Sequence, residues 1–369
     1  MHVCWDVPEN LPALDEFLEG LPNSPAVFLV WPRTGDPYLG KTSLLRRRLK
    51  RLLHRREIPS RLLNLRDTAA RIEYRLTGSP FETSIRTFEW ARMHFPGSYL
   101  EHIRLRMPPY LKITLDNRFP RSVITSQLSR SGLFFGPFRS RASAERFEGE
   151  FLNLFQMRRC AEDLEPNPAH PGCIYGEMGM CLRPCQERVG AEEYGNEVER
   201  VTGFLVSSGR NMLETVAASR DRLSEEQNFE EAARQHRRFE KIQEILSLRD
   251  DLAAGIDRLH GVVVTPSAEP KSVDLWFVHQ GHLQNSRTFP LDAADGRPLP
   301  LDRRLRDTLA AVPFESFALR ERQERLALLS RWFYSSWREG EWLNWDNFAD
   351  VPYRKLVRAV SRIAGGVPV

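Results

Sequence analysis

Residues 160–185 read CAEDLEPNPAHPGCIYGEMGMCLRPC and contain four of the five cysteines in the chain. Intervals of 12, 7 and 3 residues separate these cysteines, which are Cys160, Cys173, Cys181 and Cys185. The run between the first two is rich in proline and has no helical periodicity, so we expect a loop. Because a loop bends easily, four sulfur atoms can converge on one centre. The stretch therefore predicts a shared thiol centre in the middle of the chain.

Three kinds of centre are compatible with this stretch. A zinc site usually has two close pairs of ligands, and here only Cys181 and Cys185 form a close pair. Four thiolates at uneven spacing also suit a [4Fe–4S] cluster. Disulfides are less favoured, because nothing in the sequence marks the chain as secreted. The spacing alone leaves an iron–sulfur cluster and zinc equally favoured.

Composition indicates a protein of more than one domain. The 369 residues suffice for two or three domains, and a hydrophobic content of 41% supports real cores. No apolar run approaches the length of a membrane span, and the N-terminus does not resemble a signal peptide, so we expect a cytoplasmic protein with no membrane contact. The net charge is only +4, but the arginines are clustered, which favours phosphate-rich partners.

Residues 25–48 read PAVFLVWPRTGDPYLGKTSLLRRR. Two apolar, β-rich runs flank the turn PRTGDP and predict a hairpin, and a helix with a leucine face follows from Thr42. The rest of that helix carries Arg46, Arg47, Lys50 and Arg51, together with Arg48, Arg55 and Arg56. So many cations without acids between them favour an anionic partner such as DNA, although a solvated basic helix is the alternative.

This hairpin and helix resemble the GIY-YIG nuclease domain found in UvrC, the incision subunit of the bacterial excinuclease. The resemblance implies that Tyr38 is the tyrosine of the second motif, that Lys41 is the lysine after it, and that Arg48 is the helix arginine. The metal-binding glutamate of the family falls near Glu89 on a later helix, with Glu82 as the alternative.

The implied chemistry is the hydrolysis of a phosphodiester. Tyr38 and Lys41 would orient or activate water, Arg48 would clamp the phosphate, and Glu89 would hold Mg²⁺ or Mn²⁺. The first motif departs from the family, because Phe28 replaces its tyrosine and Ala26 replaces its glycine. These departures favour either a slow nuclease or a nuclease fold kept for binding.

The next segment follows the same family in its order of parts. The runs LKITLD, SVITSQL and GLFFGPF predict short strands, and a helix is expected over about residues 140–156. The pattern Cys173-x7-Cys181-x3-Cys185 also matches UvrC, and the resemblance implies that these three residues and Cys160 hold a [4Fe–4S] cluster. Zinc is the alternative.

Residues 191–252 have a helical pattern throughout, with a break near 227–229. The inward positions of the first helix are predicted to be Tyr194, Val198, Val201 and Phe204. The NFEEAAR run after the break resembles the UVR motif, a helical hairpin. The resemblance implies docking on a UvrB-like helicase subunit through Phe229, Ala232 and Ala233.

The last third of the chain predicts a three-strand meander followed by one amphipathic helix over residues 322–345. That helix would carry four tryptophans, which are Trp332, Trp337, Trp342 and Trp345. A platform for stacked bases is one interpretation of these residues. Core packing is favoured, because their spacing is helical.

The chain is thus predicted to be a modular α+β protein. Its expected parts are a small mixed-sheet GIY-YIG-like nuclease domain (1–105), linker strands with the cysteine cluster (106–190), a helical region with the UVR motif (191–252) and a C-terminal β-meander with a helix (253–369). The resemblance implies a DNA-repair endonuclease of the nucleotide-excision type that makes one metal-dependent cut in double-stranded DNA near a lesion, within the DNA-damage (SOS) response. The alternative is a weak or inactive module that binds DNA and UvrB. In the family, RNase H-like and helix-hairpin-helix parts follow these segments. Neither part is recognised in this sequence, so we expect the second incision centre to be absent.

Overall fold

The structure is a computed structural model that describes residues 2–7, 11–54, 63–292 and 300–365. Arg55 and Arg56 of the predicted basic helix lie outside these residues. The strands are β1 His2–Asp6, β2 Ala26–Pro32, β3 Tyr38–Thr42, β4 Ala69–Leu76, β5 Tyr110–Ile113, β6 Ser122–Thr125, β7 Leu133–Gly136, β8 Ala254–Gly255, β9 His260–Pro266, β10 Ser272–His279, β11 His282–Leu283, β12 Arg287–Pro290 and β13 Glu341–Trp345. The helices are α1 Leu11–Gly20, α2 Leu45–Leu53, α3 Pro80–His94, α4 Tyr99–His102, α5 Arg141–Phe151, α6 Ile174–Glu177, α7 Ala191–Val206, α8 Arg210–Glu225, α9 Phe229–Ser247, α10 Leu301–Ala310, α11 Leu319–Phe333 and α12 Tyr353–Ala364. The chain therefore combines helices with antiparallel sheets, as the α+β prediction requires.

The N-terminal sheet has the strand order β1-β4-β2-β3. The predicted hairpin is confirmed as β2 and β3, with Phe28 opposite Gly40. The prediction of a mixed sheet is wrong, because all the pairings of this sheet are antiparallel. Strand β4, which follows α2 in the chain, lies between β1 and β2 in the sheet. It is antiparallel to both of them.

The two faces of this sheet are covered by different helices. Alternate side chains of a strand point to opposite faces. Phe28 and Val30 of β2 therefore pack in one core with α1 and α2. Val27 and Leu29 pack on the other face against Trp90 of α3. The sheet thus separates the basic helix α2 from the helix that carries the predicted metal-binding glutamate.

A second antiparallel sheet has the order β6-β5-β7-β8. Its first three strands are those predicted from the three short β runs. Helix α5 follows, and it begins at Ser140, whose side chain forms a capping box with Ser143. Such caps each stabilise a helix by about 1 kcal/mol. Helix α5 ends at Phe151, and the chain then continues into the cysteine segment, residues 160–185.

The helical region matches its prediction closely. Helix α7 buries the four predicted inward residues, Tyr194, Val198, Val201 and Phe204. Helices α8 and α9 pack against each other as a hairpin. Asn228 begins α9 by accepting a hydrogen bond from the Glu231 backbone N–H through its side chain. The break predicted near 227–229 therefore falls at a helix cap.

The C-terminal sheet has the order β11-β10-β9-β13, and β12 also pairs with β10. Helices α10 and α12 cover one face. On the other face α3 and α11 pack against Trp276, with Phe81 and Ile85 among the α3 residues in that core. Helix α3 consequently lies between the N-terminal and C-terminal sheets and joins them.

The single helix predicted over residues 322–345 is wrong in its second half. Helix α11 ends at Phe333, and the chain turns at Gly340, which has φ +99°. A β-carbon at Gly340 would lie 2.3 Å from the Val264 carbonyl oxygen, so glycine allows the close return to β9. The following residues form β13 at the edge of the sheet. Trp342 and Trp345 are therefore strand residues.

Candidate functional sites

Tyr38 and Arg48 form a pair on one face of the N-terminal sheet. Tyr38 lies opposite Val30, and directly opposed residues of antiparallel strands project to the same face. Arg48 is on α2, which covers this face, and its Nη2 donates a hydrogen bond of 2.9 Å to the Tyr38 hydroxyl. The ten-residue interval predicted from the motif therefore brings a phenol and a guanidinium together. Such a pair can bind a phosphate oxygen.

Phe28, at the place of the first-motif tyrosine, lies beneath Gly40. The ring is fully buried, and a β-carbon built on Gly40 would lie 2.4 Å from its Cζ. Phe28 also packs against Tyr38, with 6.1 Å between the ring centroids. The residue therefore belongs to the core of the domain, and it offers no polar group to the Tyr38–Arg48 pair.

Lys41 lies on the opposite face from Tyr38. It pairs with Val27, which packs against α3. The exposed Lys41 side chain lines a cleft together with Ser79 and Arg331. Desolvation of its ammonium, and then the charge of Arg331, lower the pKa of Lys41. The lysine thus faces another cation and is separated by the sheet from the tyrosine three positions earlier.

Glu89 lies on α3 and is already engaged by an arginine. Its Oε2 accepts a hydrogen bond of 2.8 Å from Arg86 Nη1, while its buried Oε1 has no hydrogen-bond partner among the residues that the structure describes. Arg86 Nη2 also donates 2.8 Å to the Ser286 hydroxyl. The predicted metal-binding carboxylate therefore belongs to a polar contact between α3 and the C-terminal half of the chain.

Glu82, the alternative metal ligand, is more deeply buried. It accepts a hydrogen bond of 2.9 Å from the Gly78 backbone N–H and lies 3.5 Å from Arg86 Nε. Burial, and then the neighbouring carboxylate of Asp274, raise the pKa of Glu82. Burial also raises the pKa of Asp274 itself. These two acids and Arg86 form a charged cluster that ties α3 to β10.

The structure therefore brings together only part of the predicted nuclease set. Tyr38 and Arg48 are in contact on the α2 face of the sheet. Lys41 and Glu89 lie on the α3 face, and Glu89 is paired with Arg86. The catalytic roles of these residues stay predictions.

The basic helix α2 keeps only some of its cations free. Arg46 Nε donates a hydrogen bond of 2.5 Å to a backbone carbonyl of the segment before β2, and Lys50 pairs with a glutamate of α1. Arg47 and Arg51 are exposed and have no ion pair within the described part of the chain. Of the four predicted DNA contacts, these two are the most accessible.

The four cysteines of the middle segment are neighbours in space. Burial first, and then the negative charges of Cys160, Cys173 and Cys185, raise the pKa of Cys181 to about 11. Charges act on one another in this way only at short range in a protein. All five cysteines of the chain are free thiols, so the disulfide alternative is wrong.

Hydrogen-bond donors are directed at these sulfur atoms. The Arg183 backbone N–H donates to Cys181 Sγ at 3.4 Å, and Arg158 Nη1 donates to Cys160 Sγ at 3.4 Å. Arg158 is fully buried. Arg183 has a left-handed backbone with φ 57°, and non-glycine residues held in such conformations concentrate at functional sites. Donors of this kind stabilise the thiolate form, which is the form that binds metals.

Over the residues that the structure describes, no three His, Cys, Asp or Glu side chains are arranged so that they could hold a metal ion. The segment supplies four thiols, and those of Cys160 and Cys181 receive N–H donors, which is chemistry that suits thiolate ligands.

The helical hairpin presents part of the predicted docking surface. Phe229 is 66% exposed at the start of α9, and Ala233 is exposed one turn later. Ala232 is only 8% exposed and packs within the protein. The accessible part of the predicted surface is therefore Phe229 and Ala233, and Ala232 supports the hairpin from inside.

The chain is similar to known proteins over most of its length. A family description, UvrC/Cho excinuclease, middle domain, matches residues 108–204. UvrABC system protein C of Lachnospira eligens is 23% identical over 77% of this chain and 47% of its own length. The chain is thus similar to UvrABC system protein C over three quarters of its length. The protein of the same name from Moorella thermoacetica is 27% identical over 77% of this chain and 46% of its own. The protein of the same name from Dehalococcoides mccartyi is 26% identical over 75% of this chain and 46% of its own length.

The chain spans about half the length of the curated relatives it matches. No solved structure gives a significant match. Within the described ranges, no helix is long and apolar enough to cross a membrane. The matched middle domain includes the cysteine segment, so the region with the strongest motif is also the one that the family description covers.

Sequence reasoning missed the polar contact around Arg86, which joins α3 to the C-terminal half of the chain. Arg86, Asp274 and Ser286 are far apart in sequence, and no local pattern connects them. The one available signal was an arginine spaced one turn from both Glu82 and Glu89 on the same helix, which favours salt bridges within that helix.

Proposed function

We propose that this chain is a nucleotide-excision repair protein that binds DNA and docks a UvrB-like helicase subunit. The similarity to UvrABC system protein C over three quarters of the chain carries this proposal. Accessible cations on α2 and an exposed aromatic on the helical hairpin support it. The split nuclease set favours binding over cutting, because Glu89 is paired with Arg86.

Docking is tested with the hairpin. Phe229→Ala should weaken binding to a purified UvrB-like helicase at least fivefold, since exposed aromatic anchors dominate such interfaces. Met93→Ala is the matched control, because Met93 is 69% exposed on α3, away from the hairpin. Calorimetric titration of each variant measures the affinity. Equal affinity for both variants and the parent chain would remove the hairpin from the proposal.

The cysteines would hold a [4Fe–4S] cluster, with zinc as the alternative. Cys160, Cys173, Cys181 and Cys185 supply the thiolates, and the N–H donors of Arg158 and Arg183 would lower their charge density. Such a centre would order the loop and fasten the N-terminal part of the chain to the helical region. Metal analysis and the visible absorption of anaerobically purified protein distinguish iron from zinc.

A second candidate function is a single phosphodiester cut. The Tyr38–Arg48 hydrogen bond favours it, because it gives a hydroxyl and a phosphate clamp at the family positions. Mg²⁺ or Mn²⁺ would have to bind Glu89, whose Oε1 has no hydrogen-bond partner within the described ranges but whose Oε2 is held by Arg86. A cut in lesion-bearing duplex that disappears with Arg48→Gln and Glu89→Ala would support this candidate.

A further inference from the structure

A group of accessible cations lies away from α2, along the N-terminal cleft and α11. They share two properties: each side chain is exposed, and none makes an ion pair with a residue in the described ranges. They are Lys41, Arg104, Arg106 and Arg331. Because cations gathered along one surface repel one another, this group of four favours an anionic ligand.

Arg331 connects two adjoining clefts. The first has a volume of about 560 Å³ and is lined by Lys41, Thr83 and Arg331 among others. The second has a volume of about 600 Å³ and is lined by Arg104, Arg106 and Arg331. Arg331 Nη1 donates a hydrogen bond of 3.4 Å to the Arg104 carbonyl, which holds the guanidinium at the junction. The four cations therefore follow one continuous path, which we call the α11 track.

The first cleft also contains an aromatic surface. Trp337 lines it and is 42% exposed, in the turn between α11 and β13. Trp332, only five residues earlier, is buried in the core. An exposed tryptophan beside unpaired cations is the combination that single-stranded nucleic-acid sites use, with the base on the ring and the phosphate on the cation.

The charges of the first cleft are not balanced. Arg331 lies close enough to Lys41 to lower the pKa of that lysine. Glu339 is the acid among the residues that line the same cleft, so two cations there face one carboxylate. An anion placed between the two cations would relieve their repulsion. A phosphate group carries this charge. The Ser79 hydroxyl in the lining accepts from the Glu82 backbone N–H and keeps its own hydrogen for donation to an anion.

We propose that the α11 track binds a single strand of DNA, with its phosphates along Lys41, Arg331, Arg104 and Arg106 and one base stacked on Trp337. This inference rests on the proposed DNA-binding function. It adds which surface binds the DNA and that single-stranded DNA is preferred. A single strand is favoured because a base within a duplex is already stacked on both faces and cannot cover Trp337. The two joined clefts also accommodate several nucleotides of one chain in sequence.

The test uses the full chain and a fluorescein-labelled oligothymidylate, without divalent metal. Fluorescence anisotropy should show that Trp337→Ala weakens binding about tenfold, the loss expected for one stacked base. Arg331→Gln should reduce the slope of log K against log salt by about 0.7, the value for one phosphate contact on a single strand. Arg331→Lys should restore the slope, because it restores the charge.

Two control variants lie outside the lining of both clefts. Leu115→Ala removes an exposed apolar side chain, and Arg238→Gln on α9 removes an exposed arginine without an ion pair in the described chain. Both should bind the oligonucleotide as the parent chain does. The inference is overturned if Trp337→Ala and Arg331→Gln bind normally, or if the controls weaken binding equally.

A duplex of the same sequence distinguishes this inference from the proposed function. If the chain binds duplex DNA and Trp337→Ala and Arg331→Gln leave all binding unchanged, the proposed function stands and the α11 track does not. If the chain binds neither form of DNA, the proposed function fails as well. Tighter binding of the duplex with the same dependence on Trp337 would contradict the single-strand preference.

Discussion

The cysteine segment and the N-terminal sheet use their motif residues in opposite ways. In the cysteine segment, thiols from separate turns come close enough for their charges to act on one another. In the N-terminal sheet, Tyr38 and Lys41 are only three positions apart, but the alternation of β3 places them on opposite faces. A loop can gather distant residues, whereas a strand separates near ones.

This difference bears on function. The cysteine segment keeps the side chains that a metal centre needs, together with N–H donors to sulfur. The N-terminal sheet keeps the Tyr38–Arg48 pair but has a buried Phe28 and a glutamate paired with Arg86. We therefore expect substitutions in the cysteine segment to affect the whole fold, and substitutions of the sheet residues to act locally.

The largest effect is expected for Cys181→Ser. Loss of one buried thiolate should abolish metal binding and lower the free energy of unfolding by several kcal/mol, because the energy of metal binding is part of the folding energy. Cys4→Ser is the control, since Cys4 is exposed on β1 and distant in sequence from the other four. Metal analysis and denaturant unfolding of both variants measure the effect. Equal metal content in Cys181→Ser and the parent chain would contradict a shared centre.

Gly40→Ala should be the next most harmful change. The added β-carbon would meet the Phe28 ring at 2.4 Å, and overpacking of this kind costs about 1–3 kcal/mol. Gly20→Ala in α1 is matched to it, because a β-carbon there has nothing within 4 Å. Urea denaturation should show a lower free energy of unfolding for Gly40→Ala and an unchanged one for Gly20→Ala. Unchanged stability of Gly40→Ala would mean that Phe28 does not fill the sheet face.

Tyr38→Phe should have a smaller effect. It removes the hydrogen bond from Arg48, which contributes about 1 kcal/mol to stability, and leaves the ring packing intact. Duplex DNA binding by the variant should equal that of the parent chain if the pair is structural. Thermal unfolding and gel retardation on the same preparations check both statements. A large loss of DNA affinity would show that the pair contacts the phosphate backbone.

The smallest effect concerns pH and the charged cluster between α3 and β10. Burial raises the pKa of Glu82 and of Asp274, so the folded chain holds protons that the unfolded chain releases. Stability should therefore fall as pH rises from the ordinary carboxyl pKa through the raised values. Asp274→Asn should flatten this dependence, while the exposed Glu225→Gln should not. Denaturant unfolding at several pH values in that range gives the free energy of unfolding. If it depends on pH equally in Asp274→Asn and in the parent chain, the prediction is refuted.

Much of this architecture follows from local sequence patterns. The hairpin of β2 and β3, the helices α7 to α9 and the cap at Asn228 each have a short-range cause, and they agree with the structure. Strands β1 and β4 were missed, although β4 alternates the charged Arg71, Glu73 and Arg75 with apolar residues, which is the pattern of a half-buried strand. Trp342 and Trp345 were misplaced because helical spacing continued past a turn that depends on Gly340.

The functional surfaces were harder to predict, since they depend on contacts between distant segments. Lys41 and Arg331 meet only because α3 packs against both the N-terminal sheet and α11. The pairing of Glu89 with Arg86 was open to prediction, but the hydrogen bond from Arg86 to Ser286, 200 residues away, was not. Ala232 looked like an interface residue because it is small, and the structure buries it within the protein.

The central claim is that this chain binds DNA through accessible cations without cutting it. Supercoiled plasmid carrying lesions, incubated with purified protein and either Mg²⁺ or Mn²⁺, tests the claim most directly. The account predicts that the protein retards the plasmid on a gel and that no nicked circle forms. Nicked circle that appears with the parent chain and disappears with Arg48→Gln would contradict it.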